Sequence, residues 1–281
     1  MVHQINPLGL TTHLQRVSTA LPKDGKYTLM RGVDCTQLHS YCPAETPEGH
    51  GAGLLQNLAL FARVRLGTEG SLVASALLNA VPDFAVAACG VPDPSAILQR
   101  LEAAGPLGGA YGTQLDAPLV FVNGEPVAVT RAPDGLVEVL RQARRAKVLP
   151  IDTSVIMAPH GVAIFTDMGT VQFPLISLHA LSKKGHKIRE LPGELFENME
   201  ALGIIEYVEA WEALDYRVAF KASDLRAPQL LVGADGAPLM PFTHLALHPM
   251  GILGTSASSV PWSDHDQAPR VSYQAGEGHY T

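Results

Sequence analysis

The sequence predicts an α+β chain of several domains with little regular parallel sheet, and three observations carry that prediction. Leu119-Val120-Phe121-Val122 and Pro126-Val127-Ala128-Val129 flank Asn123-Gly124, the strongest short hairpin signal there is. Leu136, Val139, Leu140 and Ala143 then recur at helical spacing, so a helix follows the hairpin directly. Between residues 61 and 118, apolar runs alternate with proline and glycine breaks, which cuts the chain into small elements. At 281 residues and 47% hydrophobic content, it can bury one large core or two to three small ones.

Composition narrows the function classes. No run of 18 apolar residues exists, so no membrane span is expected. Met1 to Pro7 lacks the basic-then-apolar layout of a signal peptide. Three cysteines fit a reduced intracellular protein without a disulfide framework. A net charge of −7 argues against a free-standing nucleic-acid binder, although a piece of a larger nucleic-acid machine can be acidic.

Residues 1–40 are polar and turn-rich, with Pro22-Lys23-Asp24-Gly25-Lys26 as an exposed turn. Arg16, Lys23, Lys26 and Arg31 place four cations around it, either simply solvated or facing phosphates. Next comes Cys42-Pro43-Ala44-Glu45-Thr46-Pro47-Glu48-Gly49, whose prolines and glycines dictate a rigid, irregular backbone. Glu45 and Glu48 within it are structural or form a paired-carboxylate acid/base site. Leu54, Leu58 and Phe61 follow at i, i+4 and i+7, which suggests a short helix face. Cys35, His39, Cys42 and His50 do not match zinc-ligand spacing, so no metal is expected there.

Ser71 to Leu78 and Ser95 to Ala103 read as helices, and Gly105 to Gly112 as a loop without the lysine of a phosphate cradle. Arg141, Arg144, Arg145 and Lys147 on the helix after the hairpin read as a solvated face rather than a nucleic-acid contact. Lys183-Lys184-Gly185-His186-Lys187 opens a mixed helical region, and Leu230 to Leu239 reads as a connector turn. In the tail, His244, His248, Asp264, His265 and Asp266 could seed a metal-dependent hydrolase with a helical His pair, which Pro249 opposes.

The octapeptide at 42–49, with Gly53-Leu54 and Asn57-Leu58-Ala59-Leu60 after it, resembles the fork region of the second-largest (β-like) subunit of multisubunit DNA-directed RNA polymerases. Thr12 to Arg16 and the Pro-Lys-Asp-Gly-Lys turn stand at that family's distance before it. The Val-Phe-Val-Asn-Gly hairpin, the arginine-rich helix and Phe165-Thr166-Asp167-Met168-Gly169 resemble its second external domain. Leu202 to Ala210 resembles a strand-like element of the same family. His248-Pro249, Gly254, Ala257-Ser258, Pro261, Asp264-His265, Gln267, Pro269-Arg270 and Tyr273-Gln274 resemble the stretch entering the hybrid-binding domain.

The resemblance implies a central segment of that subunit: a fork-like domain at 1–70, an external-2-like domain at 71–176, a connecting α/β region at 177–240, and at 241–281 the strand-rich start of an incomplete barrel-like hybrid-binding domain. It implies that Arg270 reaches the phosphates of the incoming nucleotide and that Gln267 and Tyr273 position it or nearby RNA. Arg16, Lys23, Lys26 and Arg31 become nucleic-acid-binding residues, and Glu45 and Glu48 structural parts of the fork. Implied partners are the largest subunit, the remaining parts of the second-largest subunit, DNA template, RNA–DNA hybrid and nucleoside triphosphates, with no membrane. No cofactor is bound by the chain alone; magnesium belongs to the assembled polymerase. The setting is intracellular (nucleus, cytoplasm, or virion or viral factory) and not secreted, and the isolated chain is not expected to be catalytic. Apolar surface shaped for absent parts is expected to be exposed.

There are departures from the pattern: Gln15-Arg16 replaces a common basic pair, Asp34 to His39 replaces a His-x-Thr-His-x-Gly pattern, and similarity stops after Gln274. The alternatives are a non-catalytic polymerase-binding accessory module, a decayed copy, or the small hydrolase read from the histidines.

Overall fold

The computed structural model describes residues 6–71, 73, 87–88, 119–130, 132–159, 161–226 and 242–278. Apart from Ser71 and Val73, the expected helices at 71–78 and 95–103, the loop at 105–112 and the connector at 230–239 lie outside the described residues. Helices and mixed sheets are both present, as an α+β chain requires. The chain forms two compact units, and both are discontinuous in sequence: Met1–Val64, Val171–Leu178 and Tyr216–Thr281 make the first, Arg65–Thr170 and His179–Asp215 the second.

In the first unit, the helix Pro7–Leu14 starts on Asn6, whose side chain accepts the Gly9 N–H, with Pro7 in the first turn. The strand Arg16–Ser18 then pairs antiparallel with Leu55–Asn57, with Arg16 opposite Asn57. This overturns the helix expected over Leu54, Leu58 and Phe61. Gly53 has φ +72 and no room for a Cβ beside the Arg31 carbonyl, so the chain enters this stretch in a non-helical conformation. Pairing with 16–18, and bridges from Leu58 to Tyr41 and from Ala59 to Gly254, then supply the backbone partners that a helix would have found locally.

A second sheet of this unit runs through Val171–Ser177, which pairs antiparallel with Arg63–Val64 and with His244–Ala246; the latter pairs in parallel with Val218–Ala219. The last region was expected to be strand-rich, yet His244–Ala246 is its strand among the described residues and helical elements follow at Pro249–Ile252, Thr255–Ser259 and Ala268–Gly278. His248 accounts for the switch, because its Nδ1 accepts the Met250 N–H and Pro249 presets the next turn.

The second unit is built on the predicted hairpin. Leu119–Val122 and Glu125–Val129 pair antiparallel around Asn123 (φ 50) and Gly124 (φ 86), both left-handed as this turn demands. Leu119–Val122 also pairs in parallel with Gly161–Phe165, which pairs antiparallel with Ser154–Ala158. The helix Pro133–Arg145 covers the sheet, with Leu136, Val137 and Leu140 buried against Val120, Val155, Val162 and Ile164.

Its arginines are not a solvated face. Arg144, 2% exposed, donates to Glu206 at 2.8 Å, to both oxygens of Glu212 at 2.7 and 2.8 Å, and to the Thr153 carbonyl. Arg141 is bonded to Asp215 at 2.6 Å and to the Val155 carbonyl, and Arg145 to Glu206 at 2.7 Å. The spacing of 141, 144 and 145 matches a surface stripe locally; the partners that bury it come from the strand Ile205–Glu209, the short helix Ala210–Ala213 and the turn after it.

Candidate functional site

The two motif blocks that stand furthest apart in sequence meet in the first unit. Cys42 and Ala44 from the Cys42–Glu48 loop share one core with Ala257 and Val271, and Leu253 and Val260 pack against it. Backbone bonds reinforce the junction: the Leu60 N–H donates to the Leu253 carbonyl at 2.8 Å, and Ala59 bridges Gly254. The Ser272 hydroxyl donates to the Ala44 carbonyl, which fastens the helix Ala268–Gly278 to the loop. Thr12 bonds Ser256 at 3.2 Å, and Thr255 donates to the Gln15 side chain at 2.6 Å. Thr12, Gln15, Ser256 and Ser272 carried no signal as a set, because each is an ordinary polar residue until its distant partner is known.

The helix Ala268–Gly278 is anchored by Val271 and Ala275, both buried. Gln267, Arg270, Tyr273 and Gln274 are exposed, so the Arg270 guanidinium stands on the outer face of a helix whose inner face is fixed. The Arg270 N–H closes the first turn on the Gln267 carbonyl.

The four cations divide into two kinds. Arg16, Lys23 and Lys26 are exposed. Arg31 is a clamp: its guanidinium donates to the carbonyls of Lys23 (2.8 Å), Gly25 (3.0 Å), His50 (2.8 Å) and Ala52 (2.9 Å). It holds the turn that carries Lys23 and Lys26 against the end of the Cys42–Glu48 segment.

The two glutamates also differ. Glu48 is exposed, whereas Glu45 is 4% exposed, so they do not present a common solvent-facing acid/base pair. Burial pushes the Glu45 carboxyl up from 4.5 to about 7, opposed by the Ala257 N–H and the Arg16 charge, which favour its ionised form. The neighbouring Cys42 sulfur accepts the Glu45 N–H at 3.3 Å, and burial raises that thiol as well.

The histidines are spent in packing and turns. His39, at φ 67, stacks between Phe173 and Phe220 with ring centroids 5.3 and 5.4 Å away, and burial lowers its pKa. His244 lies in a strand against Tyr216, and His248 caps a turn, so the helical His pair imagined for a hydrolase does not form. Among the described residues, no three His, Cys, Asp or Glu side chains converge to hold a metal.

Glu45 makes stability pH-dependent. Its folded pKa lies above the unfolded value, so its contribution is present below about 4.5 and is lost as pH rises through about 7, some 3 kcal/mol in all. His39 acts in the opposite sense, losing stability as pH falls below its ordinary 6.5. Thermal melts of wild type and Glu45→Gln between pH 5 and 8 separate the two, since His39 is common to both. The wild type should lose stability relative to the variant as pH rises; parallel curves would count against the buried carboxyl.

Comparison with known proteins gives this junction its context. Residues 1–64 match the model described as RNA polymerase Rpb2, domain 3, and residues 120–179 match Rpb2, domain 4. The chain is 30% identical over 285 residues to the DNA-directed RNA polymerase II subunit RPB2 of Encephalitozoon cuniculi, covering 99% of this chain and 23% of that protein. The chain belongs to the family of second-largest RNA polymerase subunits.

Other relatives agree. The DNA-directed RNA polymerase II subunit 2 of Arabidopsis thaliana is 30% identical over 281 residues, covering 95% of this chain and 21% of the relative. The DNA-directed RNA polymerase subunit Rpo2 of Saccharolobus shibatae is 28% identical over 283 residues, covering 98% of this chain and 23% of the relative. The chain thus spans less than a quarter of the length of these subunits. Arg270 lies beyond both matched domain models but within the stretch that aligns with the Encephalitozoon cuniculi subunit. Among the described residues, no helix is long and apolar enough to cross a membrane.

Proposed function

We propose that this chain is a working part of the second-largest subunit of an intracellular DNA-directed RNA polymerase, contributing to templated RNA synthesis through a fork-like region and a contact to the incoming nucleotide. One observation carries the reading: Arg270 is displayed on the outer face of a helix whose inner face is locked to the Cys42–Glu48 loop. A guanidinium held in that way suits the phosphates of a nucleoside triphosphate. It stabilises charge that builds on the pyrophosphate leaving group by preorganised electrostatics, without proton transfer.

Gln267 and Tyr273, exposed before and within the same helix, position that contact or nearby RNA. Arg16, Lys23 and Lys26 meet nucleic-acid phosphates, and Arg31 holds the turn that presents the two lysines. Magnesium does not fit any described cluster of this chain, so no step runs through it here. The metal comes with the rest of the assembly, which includes the largest subunit, the remaining second-largest-subunit segments, DNA and the RNA–DNA hybrid. Leu29, 94% exposed, and Met30 and Val33 beside it leave apolar surface for those segments to cover.

The test is single-nucleotide addition by the reconstituted polymerase carrying Arg270→Ala. Loss of a positioned cation should lower kcat/KM for the nucleotide by about 10²-fold while the enzyme still assembles. An unchanged rate would overturn the assignment.

A further inference from the structure

The contact assigned to Arg270 leaves Glu45 without a task, although Glu45 sits in the loop on which the Arg270 helix rests. A carboxyl is costly to bury unless hydrogen bonds and charge favour it. Glu45 faces the start of the helix Thr255–Ser259, whose N-cap is Gly254. The N–H of Ala257, in the helix Thr255–Ser259, is directed at it. The Gly254 backbone lies so close that a Cβ there would stand 2.8 Å from Glu45 Oε2. Its neighbour Ala44 takes the Ser272 hydroxyl, and Ala44, Cys42, Ala257 and Val271 form one core, with Val271 adjacent to Arg270.

We propose that Glu45 is a positioning residue for Arg270: its carboxyl locks the Cys42–Glu48 loop to the Thr255–Ser259 helix, and the shared core sets where the guanidinium leaves the Ala268–Gly278 helix. This rests on the reading of Arg270 given above. Charged and titratable groups act on Glu45 from the elements beside it. Arg16 faces it from the strand Arg16–Ser18, and the Cys42 thiol from its own loop. Thr255–Ser259 carries no titratable side chain, and Arg270 and Tyr273 on the last helix point to solvent. With its carboxyl held near 7, Glu45 changes charge close to neutral pH and carries that change to the junction under Arg270.

The experiment measures nucleotide addition by reconstituted polymerase carrying Glu45→Ala or Glu45→Gln, each with Arg270 intact and with Arg270→Ala. Glu45→Ala should lower kcat/KM for the nucleotide about tenfold when Arg270 is present and less than about twofold when it is absent. Glu45→Gln, which keeps the shape and the acceptor, should recover most of that loss at pH 6 and remove the wild-type inflection near pH 7. Equal losses in both Arg270 backgrounds, or an inflection that survives in Glu45→Gln, would overturn the proposal while leaving Arg270 in place. If Glu45→Ala does not assemble, the Glu45→Gln pH profile decides alone. An Arg270→Ala enzyme with wild-type rates would overturn the parent reading, and this proposal with it.

Discussion

Arg144→Ala is expected to destabilise the unit formed by Arg65–Thr170 and His179–Asp215 by about 3–5 kcal/mol, the usual cost of removing one partner of a buried ion pair. The guanidinium has three carboxylate contacts between 2.7 and 2.8 Å and is 2% exposed, and Glu212 is fully buried. Without Arg144, Glu212 retains the longer contact to Arg141 at 3.5 Å, and Glu206 retains Arg145 at 2.7 Å. Glu212 therefore bears most of the loss, because its Oε2 also accepts the Val155 N–H of the edge strand. Denaturant unfolding with hydrogen exchange at Ser154–Ala158 is the measurement, and this strand should lose protection first. Arg144→Lys should fall in between, since an ammonium cannot span both carboxylates as a planar fork does. A loss below about 1 kcal/mol for Arg144→Ala would show that solvent or Arg141 takes over, against the burial seen here.

Gly203→Ala is expected to cost the same unit about 3 kcal/mol, from left-handed strain and a backbone collision together. Gly203 ends the helix Leu195–Ala201 at φ +67, its N–H bonded to the Glu200 carbonyl and that of Ile204 to the Met199 carbonyl. This is the two-bond helix ending that favours glycine at its left-handed position. A Cβ there would also stand 2.1 Å from the Arg145 carbonyl, at the end of the arginine helix. That clash is with backbone, so relief requires the helix end to move, and Arg145 and Arg144 would move with it. Thermal unfolding of Gly203→Ala and of the double variant with Arg144→Ala checks this. The two losses should add to less than their sum, because both loosen the same ion-pair network.

Features governed by neighbouring residues were legible in the sequence. The Asn123-Gly124 hairpin and the Pro133–Arg145 helix formed where turn chemistry and apolar spacing placed them. The family was legible too, in the Cys42–Gly49 octapeptide and the Pro261–Gln274 stretch. The errors share one cause. Leu54 to Phe61 had helical spacing, but Gly53 and the pairing with Arg16–Ser18 made Leu55–Asn57 a strand and left the rest to bridges and a turn. Arg141 and Arg144 had surface spacing, but carboxylates from beyond residue 205 buried them.

By itself, the sequence determined the family, the α+β class and the local elements, because these depend on residues within a few positions of one another. Only the tertiary structure decided which charges are spent on the fold and which face outward. Arg144 and its partner Glu212 are 68 residues apart, and Ser272 and Ala44 are 228 apart. No local pattern encodes such pairs, since a cation or a hydroxyl reads the same on a surface as in a network until the chain brings its partner within 3 Å. So it was the fold that made Arg31 a clamp, sealed Glu45 into the junction, and left Arg16, Lys23, Lys26 and Arg270 on the outside.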